Sequence, residues 1–211
     1  MRAEVFADVL SHWSFVAMPA VRQLASLAEV ELVFAPSNFG NPLGFSAEEE
    51  MWAYRRGERT YRRKLNPAWY EGPATNTYYA NAATLAAAEI SGDPIGIAEK
   101  MMSAAMEGGR LLGRAQVACE TAASLCGATV EQIEARATSD AIRSKLDDGN
   151  RRLAKLLANE RPTFCIVNDW GDFAILKGIW RAEPVQAVAH SLLEDDRIYR
   201  ESGTFSPAAA S

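Results

Sequence analysis

At 211 residues, 48% hydrophobic and 23% charged, the sequence has the make-up of a folded protein: one well-packed domain, or one domain carrying a large insertion. A net charge of −5 and a pI near 5.2 give no basic field to attract a polyphosphate backbone, which argues against nucleic acid and for small molecules as ligands. Cys119, Cys126 and Cys165 form no Cys-X-X-Cys pair, and His12 and His190 lie too far apart for a zinc-ligand pattern, so no metal is expected.

The chain runs from Met1-Arg2-Ala3 directly into a short apolar run, without a long hydrophobic region or a cleavage site, so no signal peptide is expected. No stretch approaches membrane-spanning length. The expected location is the cytoplasm, where the three thiols stay reduced. Glu4 to Asp8 reads as a short strand, and Phe15 to Leu27 carries helical apolar spacing. Val30 to Pro36 is a second strand-like run, which a helix separates from the first, so a parallel crossover is predicted.

From Phe45 to about Asn159 the pattern is helical. Ser46 with Glu49 and Thr129 with Gln132 fit capping boxes. Gly72-Pro73, Gly92-Asp93-Pro94, Gly108-Gly109 and Gly127 divide the stretch into about five helices. Pro162 to Val167 and Phe173 to Leu176 then read as a hairpin around Asn168 to Asp172. Pro184, at a first helical position, opens a last helix through about Glu194. The order is β-α-β, helices, β-β-α: an α/β thioredoxin fold with a large all-helical insertion. Residues 1–44 and 160–211 make the thioredoxin-like domain and 45–159 the inserted helical subdomain.

The string Asp8-Val9-Leu10-Ser11-His12-Trp13-Ser14 falls between the first strand and the first helix, and Arg161-Pro162-Thr163-Phe164 leads into the third strand. The first string resembles the motif of DsbA-like proteins, in which Asp and two apolar residues precede Cys-Pro-X-Cys. It is closer to the serine motif of kappa-class glutathione transferases and 2-hydroxychromene-2-carboxylate isomerases. The second resembles the cis-proline loop of the same superfamily, and the element order agrees over nearly the whole chain.

A turn that opens a helix presents unpaired N–H groups and the positive end of the helix dipole, a setting that favours an anion. In a dithiol enzyme the anion is the cysteine's own thiolate. With Ser11 and Ser14 in those positions no side chain can cycle between thiol and disulfide, but a hydroxyl can still donate a hydrogen bond to an imported thiolate. The resemblance implies that this thiol is glutathione, with Ser11 beside its sulfur and the Arg161 backbone beside its cysteinyl part. It also implies a ligand set that includes Trp13, Ser14, Asn41, Pro162, Thr163 and Arg181. Ser11 is equally a preferred helix-capping residue, and Asn41-Pro42 is an ordinary turn signal. Two departures stand out: His12 replaces the usual proline, and Trp180 replaces an aspartate that holds the γ-glutamyl end in the kappa class.

The expected activity is a glutathione-dependent transfer or isomerisation on a small electrophilic or aromatic substrate. The alternative is a DsbA-like scaffold without redox chemistry that binds a small molecule or a protein. An oxidoreductase built on Cys165 is a weaker third reading, because a strand position three residues after Pro162 implies burial. His12 has the chemistry of a general base or a carboxylate-orienting group, or is an exposed loop residue. Arg55, Arg56, Arg59, Arg62, Arg63 and Lys64 form a basic run that reads as a solvated face or as a steering patch for an anionic ligand. Trp52, Trp69, Tyr70, Tyr78 and Tyr79 read as core or as the contact of a homodimer, with substrate stacking as the other reading. Cys119 and Cys126, seven apart on one helix, read as small buried hydrophobes.

Overall fold

A computed structural model describes residues 1–38, 47–61, 64–72 and 75–202. Its sheet has the order β2-β1-β3-β4, built from β1 (Arg2–Ala7), β2 (Glu29–Phe34), β3 (Thr163–Val167) and β4 (Phe173–Lys177). β1 and β2 are parallel, in a register that sets Arg2 against Glu29 and Ala7 against Phe34. β3 runs antiparallel to β1, and β4 antiparallel to β3.

The helical run predicted from Phe15 to Leu27 starts earlier and is broken in two, α1 (His12–Val16) and α2 (Met18–Ala25). Pro19 is the physical reason. It has no N–H to give to the Phe15 carbonyl and its ring crowds that carbonyl, so the turn at Ala17 tightens, with the Ala17 N–H shared between Trp13 and Ser14 oxygens.

Between β2 and β3 the described residues hold six α-helices rather than about five: α3 (Ala47–Tyr61), α4 (Thr77–Ser91), α5 (Pro94–Met106), α6 (Ala115–Cys126), α7 (Val130–Ala137) and α8 (Asp140–Lys155), with a 3₁₀ turn at Pro67–Trp69. Their ends are written locally. Asn76, Asp93, Thr129 and Ser139 cap α4, α5, α7 and α8 through side-chain oxygens, and Thr129 with Gln132 closes the expected capping box. Gly92 and Gly127 end α4 and α6 in the left-handed conformation, at φ of 71° and 72°. The capping box expected at Ser46 lies outside the described residues. The last helix, α9 (Ala182–Ser202), begins two residues before Pro184 and runs eight residues past Glu194. Pro184 is tolerated there because a first-turn N–H has no intrahelical partner to lose.

α4 is the centre of the helical layer, packed by α5, α6, α7 and α8. Ala80, Ala83, Ala86 and Ala87 of α4 and Ala118 and Ala122 of α6 are all buried, small residues that suit close packing of the two helices. One continuous apolar core joins these helices to the face of the sheet carrying Val5, Phe164 and Ile166, under Phe15, Leu24, Val185 and Ala189. On the opposite face Phe6 and Val33 pack against Leu153 of α8 and against Ala158. Arg152 of α8 closes that side, with its guanidinium bonded to Glu31 and Glu4 and lying 6.0 Å over the Phe6 ring.

Candidate functional site

Ser11 sits where β1 ends and α1 begins, and its hydroxyl works in two directions. Its oxygen accepts the Ser14 N–H at 3.3 Å, capping α1, and its proton is donated to the Arg161 carbonyl at 3.3 Å. The Arg161–Pro162 bond is cis, and the Ser11–Arg161 hydrogen bond sets the loop entering β3 against the start of α1. One oxygen therefore both caps α1 and ties its start to the loop that enters β3.

The turn rests on a buried carboxylate. Asp8 is fully buried, and it accepts bonds from Leu10 N–H at 3.0 Å, Ser37 N–H at 2.6 Å and the Asn81 amide at 2.8 Å. Three amide donors, two from the backbone and one from a side chain, offset the cost of taking a carboxylate out of water. Ser14 is buried, and its oxygen accepts the Asp8 N–H at 3.2 Å. Ser14 thus faces the protein interior and braces the turn.

Arg161 holds the opposing loop. Its guanidinium donates to the carbonyls of Ala35, Pro36 and Asn159 and to the Asn150 side chain, at 2.5 to 3.3 Å. Burial lowers its pKa, and the charge of nearby Asp8 acts against that shift. Thr163 is buried, with its hydroxyl on the Glu160 carbonyl. The Pro162 carbonyl accepts the Gly178 N–H at 2.9 Å, tying the loop to the end of β4.

Aromatic rings line one side. His12 is buried, with its ring 4.8 Å from Trp13 and 5.4 Å from Tyr54, so the exposed-loop reading of this histidine is corrected. The contact with Tyr54 of α3 covers the imidazole, which is why a residue at the start of a short helix is buried. Half-buried Trp13 meets half-buried Trp180 at 6.5 Å and a tilt of 40°. Tyr54 accepts a hydrogen bond from the Trp69 indole and donates one to the Met106 sulfur. Arg181, next to Trp180, is exposed.

Ser11, His12, Trp13, Ser14, Arg161, Pro162, Thr163 and Trp180 are thus neighbours at one end of the sheet, and Asn41 lies outside the described residues. Of the basic run, Arg55, Arg59 and Lys64 are exposed, while Arg62, Arg63 and the Arg56 side chain lie outside the described part. Trp69 is core and Trp52 is 62% exposed, so the aromatic group divides. Cys119 is buried, Cys126 and Cys165 are half-buried, and all three are free thiols. Burial pushes the Cys119 and Cys165 thiols up, away from the thiolate. Among the described residues no cluster could hold a metal ion, and no helix is long and apolar enough to cross a membrane.

Sequence reasoning missed Asn81 and Asn150. A signal existed for the first: one asparagine within the alanine-rich stretch Ala80-Asn81-Ala82-Ala83 is a polar group on a buried helix face.

A four-stranded thioredoxin-type sheet, a helical layer between β2 and β3 and a loop–helix start facing a cis-proline loop define the DsbA-like class. Residues 2–192 match the DSBA-like thioredoxin domain, and the chain belongs to that family. Among solved structures it is similar to the cytosolic disulfide reductase DsbM from Pseudomonas aeruginosa, solved with glutathione: TM-score 0.73 at 18% identity, over 92% of this chain and 100% of that one. It is similar to a 2-hydroxychromene-2-carboxylate isomerase, with TM-score 0.64 at 14% identity over 98% of this chain and 100% of that one. It is also similar to reduced DsbA1 from Neisseria meningitidis, with TM-score 0.54 at 11% identity over 93% and 86% of the two chains. No curated protein matches it in sequence.

Proposed function

We propose that the protein is a glutathione-dependent transferase or isomerase acting on a small electrophilic or aromatic substrate. The observation that carries this reading is the Ser11 hydroxyl, at the start of α1 and against the Arg161 carbonyl, in a motif without cysteine. That a DsbM structure of the same fold is solved with glutathione supports the choice of thiol.

In the resting protein the Ser11 proton is held by the Arg161 carbonyl. On binding, the hydroxyl turns to the ligand's sulfur, and the freed carbonyl accepts an N–H of the ligand's peptide bond. One hydrogen bond is lost and two form. The bond to sulfur is charge-assisted and favours the thiolate over the thiol. The thiol proton passes to water; the thiolate electron pair then makes a C–S bond to the electrophilic carbon, and the displaced π electrons take a proton back from water. In an isomerisation the reverse step follows rotation about the former double bond: the proton leaves, the double bond re-forms and the C–S bond breaks, returning glutathione. Trp13 and Trp180 form the apolar wall, and the buried His12 ring backs Trp13 from behind.

A second reading, a binding scaffold without chemistry, is favoured by one observation. Trp180 packs against Trp13 where the related transferases carry an aspartate, and the Arg161 guanidinium is already committed to backbone carbonyls. Calorimetric titration with glutathione and S-methyl glutathione separates the two. Binding of both, with a thiolate absorbance band from glutathione alone, supports the enzyme. Absence of binding leaves the scaffold.

A further inference from the structure

Four consecutive backbone N–H groups lead into the candidate site, and each has a partner. Asp8 N–H goes to the Ser14 hydroxyl at 3.2 Å, Leu10 N–H to the Asp8 carboxylate at 3.0 Å and Ser11 N–H to the Asp8 carbonyl at 3.0 Å. These three are local. The Val9 N–H goes instead to Asn81 Oδ1 at 3.1 Å, on α4 and 72 residues away.

Asn81 is fully buried, and its amide oxygen and both amide hydrogens are engaged. Besides accepting from Val9, its nitrogen donates to Asp8 Oδ1 and to the Thr77 carbonyl, both at 2.8 Å. Only one orientation of the amide works, because a flipped group would set N–H against N–H at Val9 and oxygen against a carboxylate at Asp8. The first turn of α4 also grips the chain after β2. Asn38 N–H donates to the Thr77 hydroxyl at 3.1 Å, Thr77 N–H to Asn38 Oδ1 at 2.7 Å, and the Asn38 amide to the Thr75 carbonyl at 2.9 Å. One end of α4 is thus bonded to the chain beyond both parallel strands, directly under the turn that presents Ser11.

We infer that Asn81 is a positioning residue: it registers the Ser11 turn against α4, so the helical insertion, and not the sheet alone, sets where the Ser11 hydroxyl lies. Its consequence for a bound thiol rests on the proposed function; the registration of the turn does not. Val9 and Leu10 side chains already pack in the core, which fixes the turn's depth. What the core cannot fix is rotation of the peptide planes, and hydrogen bonds of stated direction do that.

The test is amide hydrogen exchange by NMR on Asn81→Leu, Asn81→Ser and Thr84→Val. Thr84 is a fitting control, since it is buried on the same helix and its hydroxyl bonds only within α4, to the Ala80 carbonyl. In Asn81→Leu the protection of Val9 and Leu10 should fall by roughly tenfold or more beyond the fall at Phe164 in the sheet interior. Thr84→Val should lower all three together. Asn81→Ser covers the case in which Asn81→Leu does not fold, and Leu10 should still lose protection there, because the serine hydroxyl lies one bond closer to the helix than the amide atoms and falls short of Val9 and Asp8. A uniform fall in the Asn81 variants, matching Thr84→Val, would overturn the inference. A parallel glutathione titration reports on the other reading: selective loss of turn protection with no glutathione bound by the wild type supports the positioning role and removes the proposed function.

Discussion

The Ser11 hydroxyl and the Arg161 carbonyl meet at 3.3 Å across 150 residues of sequence, and the same oxygen caps α1 through the Ser14 N–H. Ser11→Ala removes both bonds. The expected loss is about 1 kcal/mol of stability from the cap, read by urea unfolding. In the glutathione complex the bound thiol's pKa should rise by about 1–2 units as the bond of about 1.5–3 kcal/mol to the thiolate disappears. S-methyl glutathione, which has no thiol proton, should bind the variant and the wild type alike. Equal thiol titrations would leave Ser11 as a cap alone.

Dithiol exchange should be absent. The attacking species is a thiolate, and Ser11 and Ser14 occupy both motif positions while Cys119 and Cys165 are held in the thiol form by burial. Insulin reduction should match the buffer blank. Ser11→Cys should gain one reactive thiol of lowered pKa at the helix start and form a mixed disulfide with oxidised glutathione, visible by mass spectrometry, yet fail to turn over without a resolving cysteine. Sustained turnover by the wild type would contradict the assignment.

Asp8→Asn tests the floor of the site. The new amide would set N–H donors against at least one of the Ser37, Leu10 and Asn81 donors that the carboxylate now receives. The expected cost is about 2–3 kcal/mol, measured as a lower denaturation midpoint with an unchanged slope.

Gly149→Ala sets two effects against each other. Alanine gains about 1 kcal/mol of helix propensity, but a Cβ at this point of α8 would lie 2.2 Å from the Phe34 carbonyl oxygen. Backbone cannot yield as a flexible side chain does, so α8 must move off β2 at a net cost of about 1–3 kcal/mol. A thermal midpoint equal to or above wild type would show that this contact relaxes freely.

Acid should weaken the hold of α8 on β2 and on α4. The hydrogen bond from Arg152 holds the Glu31 carboxyl below its ordinary value of 4.5. Burial alone would raise Glu89, but bonds from Lys145 and Arg136 outweigh it and lower it too. A depressed folded-state pKa means that the unfolded chain takes up protons first. The stabilisation is therefore complete above about pH 4.5 and is lost as the pH falls through the folded values. Both carboxylates are partly solvated, so the effect should be modest and salt-sensitive. Urea midpoints against pH should fall less steeply on acidification for Arg152→Met than for the wild type.

Alternation in Glu4 to Asp8, the apolar run at Val30 to Pro36, the glycine punctuation and the Thr129–Gln132 box are local physics, and they were enough to order the elements and to mark the insertion. The Ser11 motif and the Arg161–Pro162 loop were legible for the same reason: a strand–turn–helix junction and a proline are written in a few adjacent residues. Tertiary structure alone decided the rest. Whether His12 faces solvent depended on α3, which brings Tyr54 onto its ring. The partner of Val9 is 72 residues away, and the donors to Asp8 come from three separate segments. A hydrogen bond between distant segments leaves no period in the sequence, because its geometry is fixed only when the packed helices and the sheet bring donor and acceptor to the same place.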